Sequence, residues 1–287
     1  MLVSMKELLQ DASRRNYAVA APNVFCEIDA QAVIDAASQL RAPLILGLYY
    51  TAISDVALFC QDLRARCRKA DIPIAINQDH GATLQEAIAS IKAGCTSIMV
   101  DRSSLPYEKN VEQVRTLTQV AHSVGVSVEA ELGHVGMGVN YAQECRNGLT
   151  DPCAAKKFID ETGIDCLAVA IGTAHGAYTA PPHLDFARLA AIKEAVGADY
   201  PLVLHGASGT GMEAIRKACS MGINKINVSN DLLKAMTNAI VQAGLSGDRY
   251  YDVWDIAYTG IRERISDYIR AAGSEGRADQ MQGLTAL

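Results

Sequence analysis

Eight short apolar runs alternate with segments of helical periodicity along the chain, and this alternation constrains the fold more than any other feature. The runs, such as residues 43–50 and 72–79, are almost continuously hydrophobic, which is typical of parallel strands buried on both faces. Apolar residues in the intervening segments recur at helical spacing. Eight such units in roughly 250 residues favour an α/β fold closed as a TIM (β/α)8 barrel over an open sheet.

The apolar pattern also gives approximate bounds for the elements. We predict strands at residues 17–25, 43–50, 72–79, 97–101, 127–132, 166–171, 202–205 and 223–228. We predict helices at residues 5–14, 28–41, 55–69, 84–93, 107–124, 152–162, 184–196, 212–221, 231–244 and 251–271. No shift in composition divides the chain, so we expect one domain over 1–287, with a short N-terminal helix and a C-terminal helical extension.

Two helix starts carry recognisable caps, and one segment has no periodicity. Ser4 and Glu7 form a capping-box pattern, and Asp151 precedes a proline at the first position of the next helix. The stretch 134–150 is rich in glycine and asparagine and has no apolar rhythm. We predict a mobile loop there, of the kind that acts as a lid.

Composition excludes several classes of protein. The net charge is −6 and no basic block is present, so nucleic acid is not an expected partner. No apolar run reaches 18 residues, so we expect no membrane span. The eight cysteines are scattered without a C-x-x-C pair, and no signal peptide is evident. We therefore expect a cytoplasmic protein.

Three histidines stand at, or a few residues past, the predicted carboxyl ends of strands: His80, His175 and His205. In a TIM barrel these ends meet at one rim, where the active site forms. Three imidazoles with an open position are a catalytic zinc pattern, although independent rim histidines would give the same sequence. Asp79, next to His80, is a candidate general acid/base, or alternatively a helix cap or an imidazole partner. A bend at Gly81 would let both side chains reach the pocket.

Acidic residues and small-residue loops complete this rim. Asp101, Glu129 and Glu131 end strands four and five, and charged groups inside a barrel need a partner or a metal. The alternative is a layer of salt bridges with lysine or arginine on a neighbouring strand. We expect one of the two glutamates to be functional and the other to be structural. Small residues at 176, 206–209 and 227–230 suit a phosphate cradle, although turns need glycine too.

Five motifs together resemble the class II, zinc-dependent ketose-bisphosphate aldolases, nearest to the fructose/tagatose-bisphosphate branch. They are Asp-His-Gly at 79–81, Glu-Ala-Glu-Leu-Gly at 129–133, Ala-Val-Ala-Ile-Gly-Thr-Ala-His-Gly at 168–176, Leu-His-Gly-Ala-Ser at 204–208 and Lys-Ile-Asn-Val at 225–228. The resemblance covers nearly the whole chain. It implies reversible cleavage of a ketose 1-phosphate or 1,6-bisphosphate to dihydroxyacetone phosphate and an aldehyde. Zinc would act as a Lewis acid that stabilises the enediolate charge.

The resemblance also implies roles for individual residues. The zinc ligands would be His80, His175 and His205, while Asp101 and Glu131 match positions that hold a second metal or a monovalent cation. Asp79 would move the proton of the C4 hydroxyl. The substrate would be held by Asn23, Gly176, Gly206, Ala207, Ser208, Asn227, Val228, Ser229, Asn230 and Arg277.

The chain departs from the family in the loop 134–150. Val139 stands where relatives usually carry a glutamate that moves the proton at C3. Glu144 is the only carboxylate in this loop and is our candidate for that role, although it also suits a solvated loop charge. Tyr141, His134 or a metal-bound water are the alternatives.

Two other classes of function and one assembly stay open at this point. The barrel could be a non-catalytic subunit that binds metal or phosphosugar, or a metal-dependent sugar-phosphate isomerase or epimerase. Some relatives need an accessory protein. We expect a homodimer or homotetramer joined through Tyr250, Tyr251 and Trp254, unless these aromatic residues pack on their own barrel.

Overall fold

A computed structural model describes residues 1–141 and 148–287, which form a closed barrel of eight parallel strands in chain order. The strands are β1 (Val19–Pro22), β2 (Leu44–Tyr49), β3 (Ile74–Gly81), β4 (Ser97–Val100), β5 (Ser127–Leu132), β6 (Cys166–Val169), β7 (Leu202–Leu204) and β8 (Ile223–Val228). The barrel closes where β1 pairs with β8, with Val19 opposite Lys225.

Ten α-helices lie among the described residues. They are α1 (Met5–Arg14), α2 (Glu27–Gln39), α3 (Val56–Lys69), α4 (Leu84–Ala93), α5 (Tyr107–Ser123), α6 (Pro152–Thr162), α7 (Phe186–Val196), α8 (Met212–Ser220), α9 (Asn230–Ala243) and α10 (Val253–Ala272). The TIM barrel and the order of its elements are therefore confirmed. Within the described ranges, no helix combines the length and the apolar character that crossing a membrane requires.

Helix α1 closes the amino-terminal end of the barrel. Met5, Leu8 and Leu9 are buried in one cluster with inward-facing strand residues such as Ile45 and Met99. Burial of these apolar side chains holds the helix across the opening. Ligands can consequently reach the interior only from the opposite end, where the strands finish.

The two predicted caps have different outcomes. Asp151 accepts a hydrogen bond from the Ala154 amide at 2.8 Å, as expected for a residue that begins a helix. The capping box at Ser4 is wrong, because its hydroxyl lies 3.0 Å from Ser127 Oγ and caps no amide of α1, while the Lys6 amide donates to Ser127 Oγ instead. The tertiary contact with β5 takes the hydroxyl away from the helix terminus.

The expected C-terminal extension is mostly part of the barrel. Helix α10 packs against β1, α2 and α8, and its Ile261, Ile265 and Ile269 are buried. It therefore completes the ring of outer helices between the last strand and the first. Only the residues that follow it, 273–287, lie outside the ring.

Candidate active site

A cavity of about 620 Å³ opens at the carboxyl ends of the strands. Its walls include Asp79, His80, His175 and His205, which come from β3 and from the segments after β6 and β7. The topology therefore brings the sequence-predicted polar residues to one rim, as parallel strands in a closed barrel require.

The end of β3 contains a bulge that turns two neighbouring side chains into this cavity. His80 has a φ of +47°, and the pairing of β3 with β4 shifts register between Gln78 and Gly81. Residues that follow one another in a regular strand point to opposite faces, so the extra residue of the bulge is what lets both Asp79 and His80 face the pocket. The bend predicted next to Gly81 is confirmed, with the positive φ at His80 itself.

Three imidazole rings meet at the centre of the cavity. His80 Nε2 lies 3.1 Å from His175 Nε2 and 3.0 Å from His205 Nδ1. Tetrahedral zinc with Zn–N bonds of about 2.0–2.1 Å places its ligand nitrogens about 3.3 Å apart. The spacing of the three nitrogens is therefore close to what one zinc ion requires.

Carboxylates determine which nitrogen of His80, and which nitrogen of His205, faces the centre of the cluster. His80 Nδ1 lies 2.8 Å from Asp101 Oδ2, and His205 Nε2 lies 2.8 Å from Glu129 Oε1. A ring nitrogen beside an ionised carboxylate carries a proton, so His80 Nε2 and His205 Nδ1 are the nitrogens left to face one another. At 3.0 Å these two nitrogens must share either a proton or a metal ion, and this is the arrangement of metal-binding histidines oriented by carboxylates.

Two of the rings differ in charge before any metal binds, and a metal ion would have to displace a proton from His80. Burial lowers the pKa of His80, but the carboxylates of Asp79 and Asp101 outweigh it and raise that pKa to about 9. Burial, together with the charge on neighbouring His80, lowers the pKa of His175 to about 3, so this ring is neutral and has a free lone pair.

A second group of ligands lies beside the first. His80, Asp101 and Glu131 offer ligand atoms that all lie within 4.8 Å of one another. Glu131 Oε1 accepts a hydrogen bond from the Val135 amide, whereas the buried Oε2 has no partner among the described residues. Burial and the nearby charge of Asp101 raise the pKa of Glu131 to about 8. An unpartnered buried carboxylate oxygen fits a second cation, so the donor set suits the expected second site.

Asp79 is held by two side-chain amides. The amide groups of Asn23 and Asn227 donate to its two carboxylate oxygens, at 2.8 and 3.0 Å. Burial alone would raise the pKa of Asp79, but His80, His205 and other cationic or donor groups outweigh it and lower the pKa below its usual range. The carboxylate is therefore ionised and can accept a proton.

Small residues on the far side of the cavity form a backbone-lined wall. Gly176, Gly206, Ala207, Ser208, Ser229 and Asn230 all border the cavity. Helix α9 begins at Asn230, so the partial positive charge of its N-terminus lies at the same wall. Free backbone amides near a helix N-terminus suit a phosphate group.

The structure does not bring every predicted residue to this cavity. Arg277 lies at the opposite end of the barrel, with its guanidinium 5.2 Å from the Tyr17 ring, so within one chain it cannot contact a ligand in the cavity. The Val228 side chain is in the apolar core and its carbonyl accepts from the Asn23 amide. The predicted substrate-binding roles of Arg277 and Val228 therefore do not fit the positions of these two residues.

The loop residues are placed only in part. Val139 is exposed, and Glu144 lies outside the described residues. Tyr141 is buried, and its hydroxyl donates to the Gly172 carbonyl, so it is not free to act on a substrate. His134 lines the cavity, with its Nδ1 2.9 Å from Ser103 Oγ.

Sequence reasoning gave too little weight to Lys225. Its side chain is fully buried in the barrel, and its Nζ lies 2.7 Å from Glu129 Oε2. Glu129 is therefore the glutamate in a salt bridge, with a partner across the barrel rather than on a neighbouring strand. A charged residue inside the apolar run of β8 was the available indication, because such a charge needs a partner.

Comparisons with known proteins agree with this geometry. The sequence profile of the family described as "Fructose-bisphosphate aldolase class-II" matches residues 3–277. The crystal structure of the YdjI aldolase from Escherichia coli K12 is 31% identical, with a TM-score of 0.87, 97% of this chain covered and 100% of that chain. A Coccidioides immitis protein, provisionally assigned as a fructose-1,6-bisphosphate aldolase, is 29% identical with a TM-score of 0.86, covering 96% of this chain and 97% of that chain. Fructose-bisphosphate aldolase from Campylobacter jejuni shares the fold, with a TM-score of 0.83, 20% identity and 96% of each chain covered.

Proposed function

Because the chain belongs to the class II fructose-bisphosphate aldolase family, we propose that it is a zinc-dependent aldolase of a phosphorylated ketose. The substrate is a ketose 1-phosphate or 1,6-bisphosphate, and the products are dihydroxyacetone phosphate and an aldehyde. The observation that carries this proposal is the position of His80 Nε2, within 3.1 Å of nitrogens of both His175 and His205, beside an ionised aspartate and a backbone-lined wall.

The metal would be held by His80, His175 and His205, and Asp101 with Glu131 would hold a second cation. A bound zinc ion would supply Lewis-acid stabilisation of the negative charge that develops on the three-carbon fragment. The orienting carboxylates hold a proton on the outer nitrogens of His80 and His205, so that the nitrogens facing the centre would be the ones to bind the metal, with release of a proton from His80.

Asp79 would move the proton of the C4 hydroxyl. In cleavage the ionised carboxylate accepts this proton as the bond between C3 and C4 breaks. In condensation the same group returns the proton to the aldehyde oxygen. Its two amide partners, Asn23 and Asn227, hold the carboxylate in place for both directions.

The wall of small residues would bind the phosphate through backbone amides, and Asn230 would place it at the N-terminus of α9. The C3 proton would be moved by Glu144, the carboxylate of the segment 134–150. His134 is the next candidate, because it already lines the cavity.

We also propose a cytoplasmic homodimer or homotetramer. Tyr250, Tyr251 and Trp254 are exposed rather than packed on their own barrel, and such aromatic residues are enriched at interfaces. The seven cysteines in the described residues are free thiols, which suits a reducing compartment.

The decisive assay measures two reactions of the zinc-loaded protein. One is release of dihydroxyacetone phosphate from a panel of ketose 1-phosphates and 1,6-bisphosphates. The other is exchange of the C3 proton of dihydroxyacetone phosphate with deuterated solvent. We expect both. Absence of both would contradict the proposal, and conversion of a sugar without a three-carbon product would indicate an isomerase or epimerase instead.

A further inference from the structure

Lys225 connects Glu129, which binds the imidazole of His205, to Asp79, the proposed proton-transfer group, through Asn227. Its Nζ lies 2.7 Å from Glu129 Oε2 and 2.7 Å from Asn227 Oδ1, and the side chain is fully buried. Asn227 in turn donates to Asp79 Oδ1 at 3.0 Å, while Glu129 binds His205. A salt bridge with Glu129 alone would not require the second contact.

The chemistry of an ammonium group decides how the Asn227 amide is turned. Lysine has three donors and no acceptor, so it must face the amide oxygen and not the amide nitrogen. The nitrogen is then directed at Asp79, where it donates to the carboxylate. A reversed amide would place its oxygen against the Asp79 carboxylate and its N–H groups against the ammonium, and both contacts are repulsive. Lys225 therefore admits one orientation of Asn227.

Glu129 keeps the ammonium in place. Its carboxylate is fully buried and accepts from Lys225 on one oxygen and from His205 on the other. Charge-assisted hydrogen bonds of this kind are shorter and stronger than neutral ones, so the lysine has little freedom to move away from Asn227. The position of the Asp79 carboxylate therefore depends, through Asn227, on Lys225 and on its salt bridge with Glu129.

We infer that Lys225 is a positioning residue for proton transfer, which acts on Asp79 by fixing the orientation of the Asn227 amide. The inference rests on the proposed function. It concerns geometry within the site and does not make Lys225 a ligand of the substrate.

The test removes the charge pair as a unit. Lys225→Met alone would leave the buried Glu129 carboxylate uncompensated and risk unfolding, so it is combined with Glu129→Gln. The glutamine oxygen can still accept from His205. A matched control is Lys193→Met, which removes a half-buried lysine whose Nζ donates to the Tyr200 carbonyl away from the cavity.

Because Glu129 also orients His205, the neutral pair is assayed in excess zinc and its occupancy is checked by elemental analysis. We expect it to keep its KM and to lower kcat for cleavage by about 10–100-fold, the scale of a misplaced reacting group. C3 proton exchange should stay within about twofold of the parent, because Asp79 acts at the C4 hydroxyl. When Asp79→Asn is already present, adding the neutral pair should change kcat for cleavage by less than about twofold. This is expected because Lys225 acts only through Asp79, so that its loss has no further effect once Asp79 is replaced. Lys193→Met should cleave at the parent rate.

A second measurement does not depend on catalysis. The side-chain amide protons of Asn227, followed by NMR in the metal-free protein, should exchange slowly in the parent and rapidly in the neutral pair. Unchanged amide exchange, unchanged cleavage, or an equal loss in the Asp79→Asn background would each overturn the positioning role. A parent with no cleavage and no C3 exchange would instead refute the proposed function, and the amide measurement would still decide the position of Asn227.

Discussion

Gly206→Ala should disturb the two ligand-bearing segments that Gly206 holds close together. Gly206 has a φ of +69°, and a Cβ built there would lie 2.7 Å from the Ala174 carbonyl carbon, 2.9 Å from its nitrogen, and would overlap its oxygen. All three atoms belong to the backbone, so no side chain can rotate away. Gly206 follows His205 and Ala174 precedes His175, so relief of the overlap must separate two proposed zinc ligands.

Gly163→Ala is the matched control for this substitution. Gly163 also has a positive φ, of +71°, but a Cβ there meets nothing within 4 Å. In both variants the left-handed backbone conformation of alanine costs about 1–2 kcal/mol. Both also reduce the conformational entropy of the unfolded chain by the same amount. Only Gly206→Ala adds the overlap, at about 1–3 kcal/mol.

The difference between the two variants isolates the overlap. At about 2–4 °C per kcal/mol, Gly206→Ala should melt about 2–12 °C below Gly163→Ala in differential scanning calorimetry. It should also lose zinc in dialysis against a chelator, while the control keeps its metal. Equal melting temperatures with equal zinc content would refute the reasoning, since they would mean that the two segments are free to part.

The remaining predictions concern the metal, the proton-transfer groups and the assembly. Alanine in place of any one proposed zinc ligand should remove stoichiometric zinc in elemental analysis and leave the circular dichroism of the barrel unchanged, because the ligands lie on the rim. The three variants are His80→Ala, His175→Ala and His205→Ala. Asp79→Ala should keep zinc and lose about 10²–10⁴-fold in turnover, and near-parent activity would reduce this residue to a structural partner. Glu144→Gln should slow C3 proton exchange far more than it alters zinc content, and exchange at the parent rate would move the role to His134. Light scattering should report a dimer or tetramer that Tyr251→Asp with Trp254→Asp dissociates, and a monomeric parent at micromolar concentration would end this expectation.

Local sequence patterns were enough to predict the barrel and much of its rim, because the existence and order of strands and helices depend on the apolar periodicity of short stretches. The apolar runs located all eight strands, although β1 was predicted at 17–25 and spans only Val19–Pro22. Strand bounds depend on where neighbours stop, which a single run cannot reveal. The bend next to His80 was predicted from Gly81, which is a local feature, whereas the register shift between β3 and β4 was not.

Contacts across the barrel could not be predicted from local sequence patterns. Lys225 and Glu129 are 96 residues apart in sequence, and only closure of the sheet brings them together. Arg277 was assigned to the substrate from its motif, but the direction of α10 carries it to the opposite end of the barrel. In both cases the missing information was three-dimensional, since spacing along the chain does not say which end of a barrel a residue reaches.

The pairing of β1 with β8 sets a waiting time during synthesis. Val19 finds its partner in Lys225, roughly 200 residues later, and at about 5–20 residues per second the first strand waits about 10–40 s at the ribosome. Over that period one edge of β1 has no neighbour, and an unpaired apolar strand edge is a template for association with other chains. The proposed zinc ligands are also incomplete until His205 has been made. We therefore expect the nascent chain to need shelter by a chaperone, and truncations that end before β8 to aggregate rather than to form a smaller barrel.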